Sequence, residues 1–437
     1  MSAKPQSKND AAWEALFETH QILDRIEERG VFEISAASIN KLREARLMTK
    51  FDHKINLPSL FKEHDLTIQP NSRGTYLIGH FQSYQDLPLP PETDDDIESF
   101  PFPTEIETID PANLYSESAA LLCAYNVGII NELFDEPATL TVLGRMSTGK
   151  FNYCINDTRR GTPYEIEVAH AQLEIDSGFE GQRIFTVVEA KNETVSDFLI
   201  RQLYYPYRLW TGKTRKEVVP VFMTFSNDVF SFYVFRFADD GLYNSIELVT
   251  RKRYQIGGRE IELEDIVRAL GSATTAPEPP HIPFPQANSF TRIVDLLTHL
   301  YGAGQLSQEE ITTNHAFDLR QTQYYTNAGR YLGLLERRTA GDLGVYYTLT
   351  STGERIMGLK SPQQRNLAVV GAILKHQVFN AALRLYLEQA ARPTLDQVVE
   401  IMRDADLGLD REGTTTIRRR AQSVLGWIDW IMRLKRR

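Results

Sequence analysis

Cysteine is nearly missing from this 437-residue chain. Cys123 and Cys154 are the two that occur, which excludes a disulfide framework and a cysteine-rich zinc site. Such sparing use fits a reducing cytoplasm, the expected location. Long apolar runs are missing too. None reaches the roughly 18–20 residues that a bilayer-spanning helix needs, so no membrane partner is expected. The stretch MSAKPQSKNDAAWEAL is polar and carries no apolar run of the signal-peptide kind, so no secretory leader is expected. There is no disorder-like or collagen-like bias: 42% of residues are hydrophobic and 24% charged. At roughly 150 residues per domain, the length calls for about three domains.

An excess of basic residues is also missing, since the net charge is −10. The total hides an asymmetry. Residues 281–437 carry a net charge of +5 and residues 1–280 one of −15. Such a split suggests that one part meets a polyanion, although +5 over that length is within ordinary surface variation. The case must rest on motifs.

Two proline-rich stretches divide the chain, Asp86 to Pro103 and Thr274 to Asn288, with five prolines each. Proline continues neither helices nor central strands, so both read as extended linkers. The expected order is an N-terminal α+β domain over 1–87 and a Pro/Asp-rich linker over 88–103. A central domain over 104–273 and a Pro-rich linker over 274–288 follow. A helical domain over 289–360 and a second helical module over 361–437 complete it. In the first piece, the spacing of Trp13, Leu16, Phe17, Ile22, Leu23 and Ile26 predicts one helix, and Ser35–Phe51 a second, basic one. The centre alternates a long helix (Leu114–Phe134) with β-branched and aromatic runs of strand length. That predicts a mixed sheet flanked by helices, an α+β or α/β core. Residues 289–360 give three helices and a hairpin in winged-helix order, with a capping box from Ser307 to Glu310. Four further helices follow as a weaker echo.

The strongest chemical constellation lies in the centre. One strand is expected to end at Asp176 and the next to run into Val187-Val188-Glu189-Ala190-Lys191. Residues two apart on a strand share a face, so Glu189 and Lys191 project together. Asp176, on the neighbouring strand, can reach the same spot, and Glu174 shares its face as an alternative ligand. Two carboxylates on adjacent strands suit a hard cation such as Mg²⁺. A lysine beside them suits an attacking water or a developing phosphorane charge. Glu-x-Lys alone arises by chance once or twice in a chain this long. Asp52-His53-Lys54 is such a case and is set aside, because it follows a helix and has no partner strand.

Ile175-Asp176, twelve residues and Glu189-Ala190-Lys191 resemble the PD-(D/E)xK nuclease signature. The stretches REARLMTKFDHKINLPSLFKEHDLTIQPNSRGTYLIG, SESAALLCAYNVGII, QLEIDSGFEG, VVEAKN and FLIRQLYYPYR extend the resemblance to type II restriction endonucleases, across roughly residues 30–430. The resemblance implies a restriction-endonuclease-like sheet over 104–273. It implies Asp176, Glu189 and Lys191 as catalytic residues, with Asp176 and Glu189 as metal ligands and Glu117 as a further candidate ligand. It implies Mg²⁺ as cofactor, with Mn²⁺ as a substitute, and double-stranded DNA as substrate. It also implies a homodimer at least on DNA and a cognate DNA methyltransferase in the same system. Two departures stand out. Ile175 replaces the motif's proline, which supplies no ligand. Gln202, a candidate contact to the site or the scissile phosphate, is followed four residues on by Pro206 where some relatives have tyrosine.

Gly144 to Lys150 fits G-x-x-x-x-G-K, but Phe151 stands where a P-loop needs Ser or Thr, so a glycine-containing hairpin turn is the better reading. The DNA-reading candidate is the segment Asp318–Glu336, with Arg320, Gln321, Thr322, Gln323, Tyr324, Tyr325, Asn327 and Arg330 at its start and Tyr331, Leu332 and Leu334 in the core. Thr414, Thr415, Thr416, Arg418 and Arg419 begin a second candidate helix that suits phosphates, with Trp427 and Trp430 in the core. The sequence thus predicts a Mg²⁺-dependent, sequence-specific endonuclease. The alternatives are a winged-helix DNA-binding regulator on an inactive nuclease-like scaffold and a nuclease restricted to modified DNA.

Overall fold

A computed structural model describes residues 7–88, 96–257, 261–279, 281–341, 344–405, 407 and 414–435. The first amphipathic stretch forms two helices, α1 (Lys8–His20) and α2 (Ile22–Arg29), broken at Gln21 with its left-handed φ of 52°. The basic helix expected over Ser35–Phe51 is also broken up. It is preceded by β1 (Val31–Ser35) and reduced to α3 (Ala36–Asn40) and α4 (Ala45–Thr49). Ser35 caps α3 by accepting from the Ser38 N–H, so the strand hands directly over to the helix. Then come α5 (Ser59–Glu63), β2 (Thr67–Pro70), β3 (Thr75–Gly79) and β4 (Tyr84–Asp86). Strands β1, β3 and β2 form an antiparallel sheet over a core that includes Trp13, Phe61 and Ile78.

The first expected linker contributes a strand, β5 (Ile97–Phe100), while residues 89–95 lie outside the described residues. The expected long central helix is two, α6 (Glu117–Asn126) and α7 (Ile129–Phe134), because Gly128 turns the backbone at φ 90°. β6 (Thr139–Ser147) and β7 (Lys150–Ile155) do not form the expected hairpin around Gly149. β7 pairs with β8 (Tyr164–Ala169), and β6 pairs with β9 (Gln172–Glu180) in another sheet. His170, at φ 57°, parts β8 from β9, although Tyr164 to Asp176 reads in sequence as one strand. β10 (Ile184–Lys191), β11 (Asp197–Leu199), α8 (Arg201–Thr211), β12 (Glu217–Ser226), β13 (Val229–Phe237) and β14 (Ile246–Ile256) complete the centre.

These strands make a seven-stranded mixed sheet in the order β5-β14-β13-β12-β10-β9-β6. β10 and β12 run parallel, joined by the crossover through α8, and β14 and β5 are parallel as well. Every residue of β10 after Ile184 is buried, as a strand covered on both faces requires. Val188 and Ala190 face the α6–α7 core, whereas Phe185 and Val187 face α8. By alternation, Glu189 and Lys191 share the α8 face. The N-terminal unit is tied to this centre by β4 pairing with β11 and by Leu199 in its core.

After the sheet, α9 (Leu263–Ser272) packs into the C-terminal core through Ile266 and Leu270, so that unit begins before the expected boundary at 273. The second proline-rich stretch is packed rather than free. Phe284 and Ala287 are buried, and the Trp427 indole N–H donates to the Ala287 carbonyl at 2.7 Å; residue 280 lies outside the described residues. There follow α10 (Phe290–Ala303), β15 (Gln305–Ser307), α11 (Gln308–Asn314), α12 (Leu319–Tyr331), β16 (Leu335–Ala340), β17 (Gly344–Leu349) and α13 (Ser351–Met357). The strands pair antiparallel in the order β15-β17-β16, and the Ser307–Glu310 capping box forms as read. α14 (Pro362–Leu374), α15 (Gln377–Gln389), α16 (Leu395–Asp404) and α17 (Thr414–Arg433) end the chain. One continuous apolar core joins α9 to α17, so 289–360 and 361–437 are not separately packed. Among the described residues no helix is long and apolar enough to cross a membrane.

Candidate active site

The hairpin of β9 and β10 sets the site. Its register pairs Thr186 with Phe179 and Val188 with Ser177. Asp176 therefore lies within β9, not at its end as expected, and next to the Glu189 level. Its Oδ2 accepts from the Ala190 N–H at 2.8 Å, which fixes one carboxylate beside the strand that carries the other two groups. Lys191 Nζ donates to Glu189 Oε1 at 2.5 Å and lies 3.9 Å from Glu117 Oε1. Glu117 opens α6, whose N-terminus is capped by Ser116. The Gln202 amide, from the second residue of α8, donates to the same Glu189 oxygen. The structure thus brings together Asp176, Glu189, Lys191, Glu117 and Gln202. Pro206, where the tyrosine was missing, is buried inside α8. Glu174 is instead engaged by Arg145 at 3.3 Å on the neighbouring strand, with half its side chain exposed.

Glu189 and Lys191 are 7% and 8% exposed, so both ionisable groups sit away from water. Burial pushes the Glu189 carboxyl up to about 7, against the pull of Lys191 and with the push of Asp176. Burial likewise raises Asp176 to about 6, with Lys191 opposing and Glu117 adding. Glu117 is raised for the same reasons. Burial disfavours charge on Lys191, but Glu189, Glu117, Asp52 and Asp176 outweigh it and hold the ammonium well above its usual range. The centre is a cluster of proton-hungry carboxyls around one firmly charged lysine. Among the described residues no three His, Cys, Asp or Glu side chains are already gathered around a cation position.

Asp52, set aside from the sequence, belongs near this cluster. Burial raises its pKa, yet Lys191, Lys50, His53 and Arg201 overcome that and keep it low. Its segment is clamped to the chain just beyond Lys191: His53 Nδ1 lies 2.8 Å from the Asp197 carbonyl, and the Lys54 N–H donates to Asp197 Oδ2 at 3.0 Å. No sequence signal ties residue 52 to residue 191; the β4–β11 pairing and these contacts to Asp197 do.

Glu193, two residues past Lys191, reaches the C-terminal unit. Its Oε2 lies 3.1 Å from His315 Nδ1, and His315 Nε2 lies 3.2 Å from His299 Nδ1. Burial raises Glu193 to about 8 and Asp295 to about 8, and lowers His315 to about 3 and His299 to about 4. Burial thus pushes both partners of this contact towards their neutral forms. The raised acids contribute stability that is fully present below pH 3.8–4.5 and is lost as pH rises through about 8. The lowered histidines contribute stability lost only as pH falls from 6.5 through about 4. The melting temperature is therefore expected to fall by several degrees between pH 6 and 9. Glu193→Gln, which cannot ionise, is expected to fall less and to keep a remainder due to Asp295; scanning calorimetry across that range checks it. Equal slopes for both proteins would place Glu193 outside the pH response.

The DNA-reading candidates divide. Arg320 and Gln323 on α12 are exposed, and Gln321, Tyr324, Asn327 and Arg330 are half-buried. Thr322 and Tyr325 do not face solvent, contrary to expectation. Thr322 bonds Thr312 at 2.8 Å, and Tyr325 stacks on Phe317 at 4.6 Å, because the helical period turns them into the α10–α12 core. Tyr331, Leu332 and Leu334 are core, as read. Gln321 closes a capping box with Asp318. On α17, Thr415, Arg418 and Arg419 are exposed, Thr416 is half-buried, and Arg418 pairs with Asp396 at 2.6 Å. The side chain of Thr414 lies outside the described residues. Trp427 and Trp430 are buried as read.

Three family descriptions match successive parts of the chain, each a domain of unknown function: DUF6996 over residues 10–78, DUF6997 over 79–255 and DUF7226 over 292–436. The second covers the seven-stranded sheet from β5 to β14 with Asp176, Glu189 and Lys191. No curated protein and no solved structure matches the chain.

Proposed function

We propose that the protein is a Mg²⁺-dependent, sequence-specific endonuclease of double-stranded DNA, acting like type II restriction enzymes, with Mn²⁺ as a substitute. The observation that supports it most is the meeting of Asp176, Glu189, Lys191 and Glu117 beside two adjacent strands of a mixed sheet. In this reading the sheet is restriction-endonuclease-like. The run α10, β15, α11, α12, β16, β17 is a winged helix whose α12 presents Arg320 and Gln323 to base edges. A homodimer on DNA and a cognate methyltransferase belong to the same proposal.

The donors fit a hard divalent cation. Asp176 and Glu189 offer carboxylate oxygens, and Gln202 Oε1 is a buried acceptor without a donor among the described residues. Asp176 and Glu189 would hold the ion, with Glu117 adjacent. A bound Mg²⁺ supplies charge to a phosphoryl oxygen and acidifies water. Gln202 steadies Glu189 through its amide. Lys191 stays protonated, so its role is to neutralise charge on the phosphorane rather than to take a proton from water.

The test is cleavage of unmethylated phage DNA by the purified protein, with Mg²⁺ and with EDTA. Discrete fragments that need Mg²⁺ are the expected result. Cleavage of base-methylated DNA alone would establish the modification-dependent alternative. No cleavage of either substrate would overturn the enzyme reading and leave the DNA-binding regulator.

A further inference from the structure

Helix α8 carries two arginines with opposite circumstances. Arg208 is anchored: its Nη1 lies within hydrogen-bond reach of the Asn152 carbonyl at 3.1 Å, the Tyr204 hydroxyl at 2.9 Å and the Asp240 carbonyl at 2.7 Å. Arg201 makes no side-chain hydrogen bond and no ion pair among the described residues. Its guanidinium lies 5.8 Å from the Tyr205 ring centre, and its Nε is shut off from water without an acceptor. A buried N–H without an acceptor is destabilising, more so when charged, so the arrangement is costly in the free protein. Asp52 is close enough to respond to the Arg201 charge, yet the two are not paired, and Asp52 Oδ1 is itself buried without a donor.

Position gives the orphan guanidinium a meaning. Arg201 is the first residue of an eleven-residue helix, where the backbone dipole adds positive potential. The next residue, Gln202, touches Glu189. On the other side lies the segment around Asp52, clamped to Asp197. The cation thus stands at the junction of the N-terminal unit and the catalytic strand. A guanidinium presents a planar fork of N–H donors that matches the oxygens of a phosphodiester. We propose that Arg201 binds a backbone phosphate of the nucleic acid, near the Glu189 and Lys191 cluster. The N-terminal unit then forms one wall of the DNA channel. This rests on the DNA reading above but not on catalysis.

The experiment measures binding of a mixed-sequence duplex in EDTA, so that cutting plays no part. Affinity is followed against salt for the full-length wild type, Arg201→Gln, Arg201→Lys and Arg236→Gln. Arg236 pairs with Glu247 on an exposed part of the sheet and serves as the control. Loss of one phosphate contact lowers the slope of log affinity against log salt by about 0.9. Arg201→Gln is expected to show that drop and about tenfold weaker binding. Arg201→Lys keeps the slope and loses part of the affinity, and Arg236→Gln matches wild type. An unchanged slope in Arg201→Gln overturns the phosphate site, even if Mg²⁺-dependent cleavage is found. A lowered slope without any cleavage upholds it while the nuclease reading fails. No DNA binding by wild type overturns both. Should Arg201→Gln fail to fold, the Arg201 Nε–Hε resonance of labelled wild type decides: it shifts on adding the duplex, or the proposal falls.

Discussion

Lys191→Ala is expected to lower Mg²⁺-dependent cleavage by about 10²–10³-fold, the range found when one charged or hydrogen-bonding stabiliser of a transition state is removed. The loss is expected in the rate of the chemical step, with DNA affinity in EDTA within a few-fold of wild type. The fold has reason to survive. Lys191 is the cation that Glu189 and Glu117 share, and without it the Glu189 carboxyl, already raised to about 7, simply keeps its proton. A buried neutral carboxyl bonded to Gln202 is tolerable, whereas an unpaired buried carboxylate is not. Lys191→Met, which keeps the aliphatic stem, separates packing from charge and is expected to be as slow as Lys191→Ala. Cleavage by either variant within about threefold of wild type would mean that the chemistry lies elsewhere.

The same carboxyls predict how cleavage responds to pH. Cation binding needs Asp176 and Glu189 ionised, and their values of about 6 and about 7 mean that protons must leave first. The Mg²⁺ concentration for half-maximal rate is therefore expected to fall as pH rises from 6 to 8. Titrations of rate against Mg²⁺ at several pH values test this. A half-saturation that stays flat would show that these groups do not hold the ion.

The candidate cluster was legible because it is local. A thirteen-residue spacing across one hairpin, with a period of two on the second strand, suffices to bring Asp176, Glu189 and Lys191 together. Glu117 came from family resemblance alone, since nothing in its own neighbourhood points to a strand end on the far side of a sheet. Asp52 and Arg201 were not legible. Their placement depends on β4 pairing with β11, a three-residue ladder across more than a hundred residues of sequence. Thr322 and Tyr325 show a different limit. Residue type suited them to DNA, but the helical period had already assigned them to the core. The proline-rich stretches misled in a similar way. Their composition excludes helices, yet β5 lies at a sheet edge and Phe284 fills a core, both of which tolerate proline nearby.

Arg365→Met is expected to cost about 3–5 kcal/mol, the range for breaking a buried ion pair from one side. Arg365 is 3% exposed on α14, and its guanidinium grips both Asp228 oxygens, the longer contact at 2.7 Å, and the Ala112 carbonyl. One side chain thereby joins the C-terminal helices, the β12–β13 turn and the approach to α6. Asp228 keeps a quarter of its side chain exposed, so it can rehydrate when the arginine is gone, which points to the lower end of that range. Replacing Arg392, which pairs with Asp429 near the surface, is expected to cost under about 1 kcal/mol, because solvent screens that pair. The contrast matters mechanically. The Trp430 indole N–H bonds Asn227 at 2.9 Å beside the same turn, so Arg365 and Trp430 hold the C-terminal core against the sheet that carries Glu189. Loosening that joint is expected to split the calorimetric transition in two, with the C-terminal unit melting first, and to reduce sequence discrimination more than the rate on a saturating substrate. A single unshifted transition in Arg365→Met would mean that the β12–β13 turn is held by the Trp430–Asn227 bond and apolar packing without the arginine.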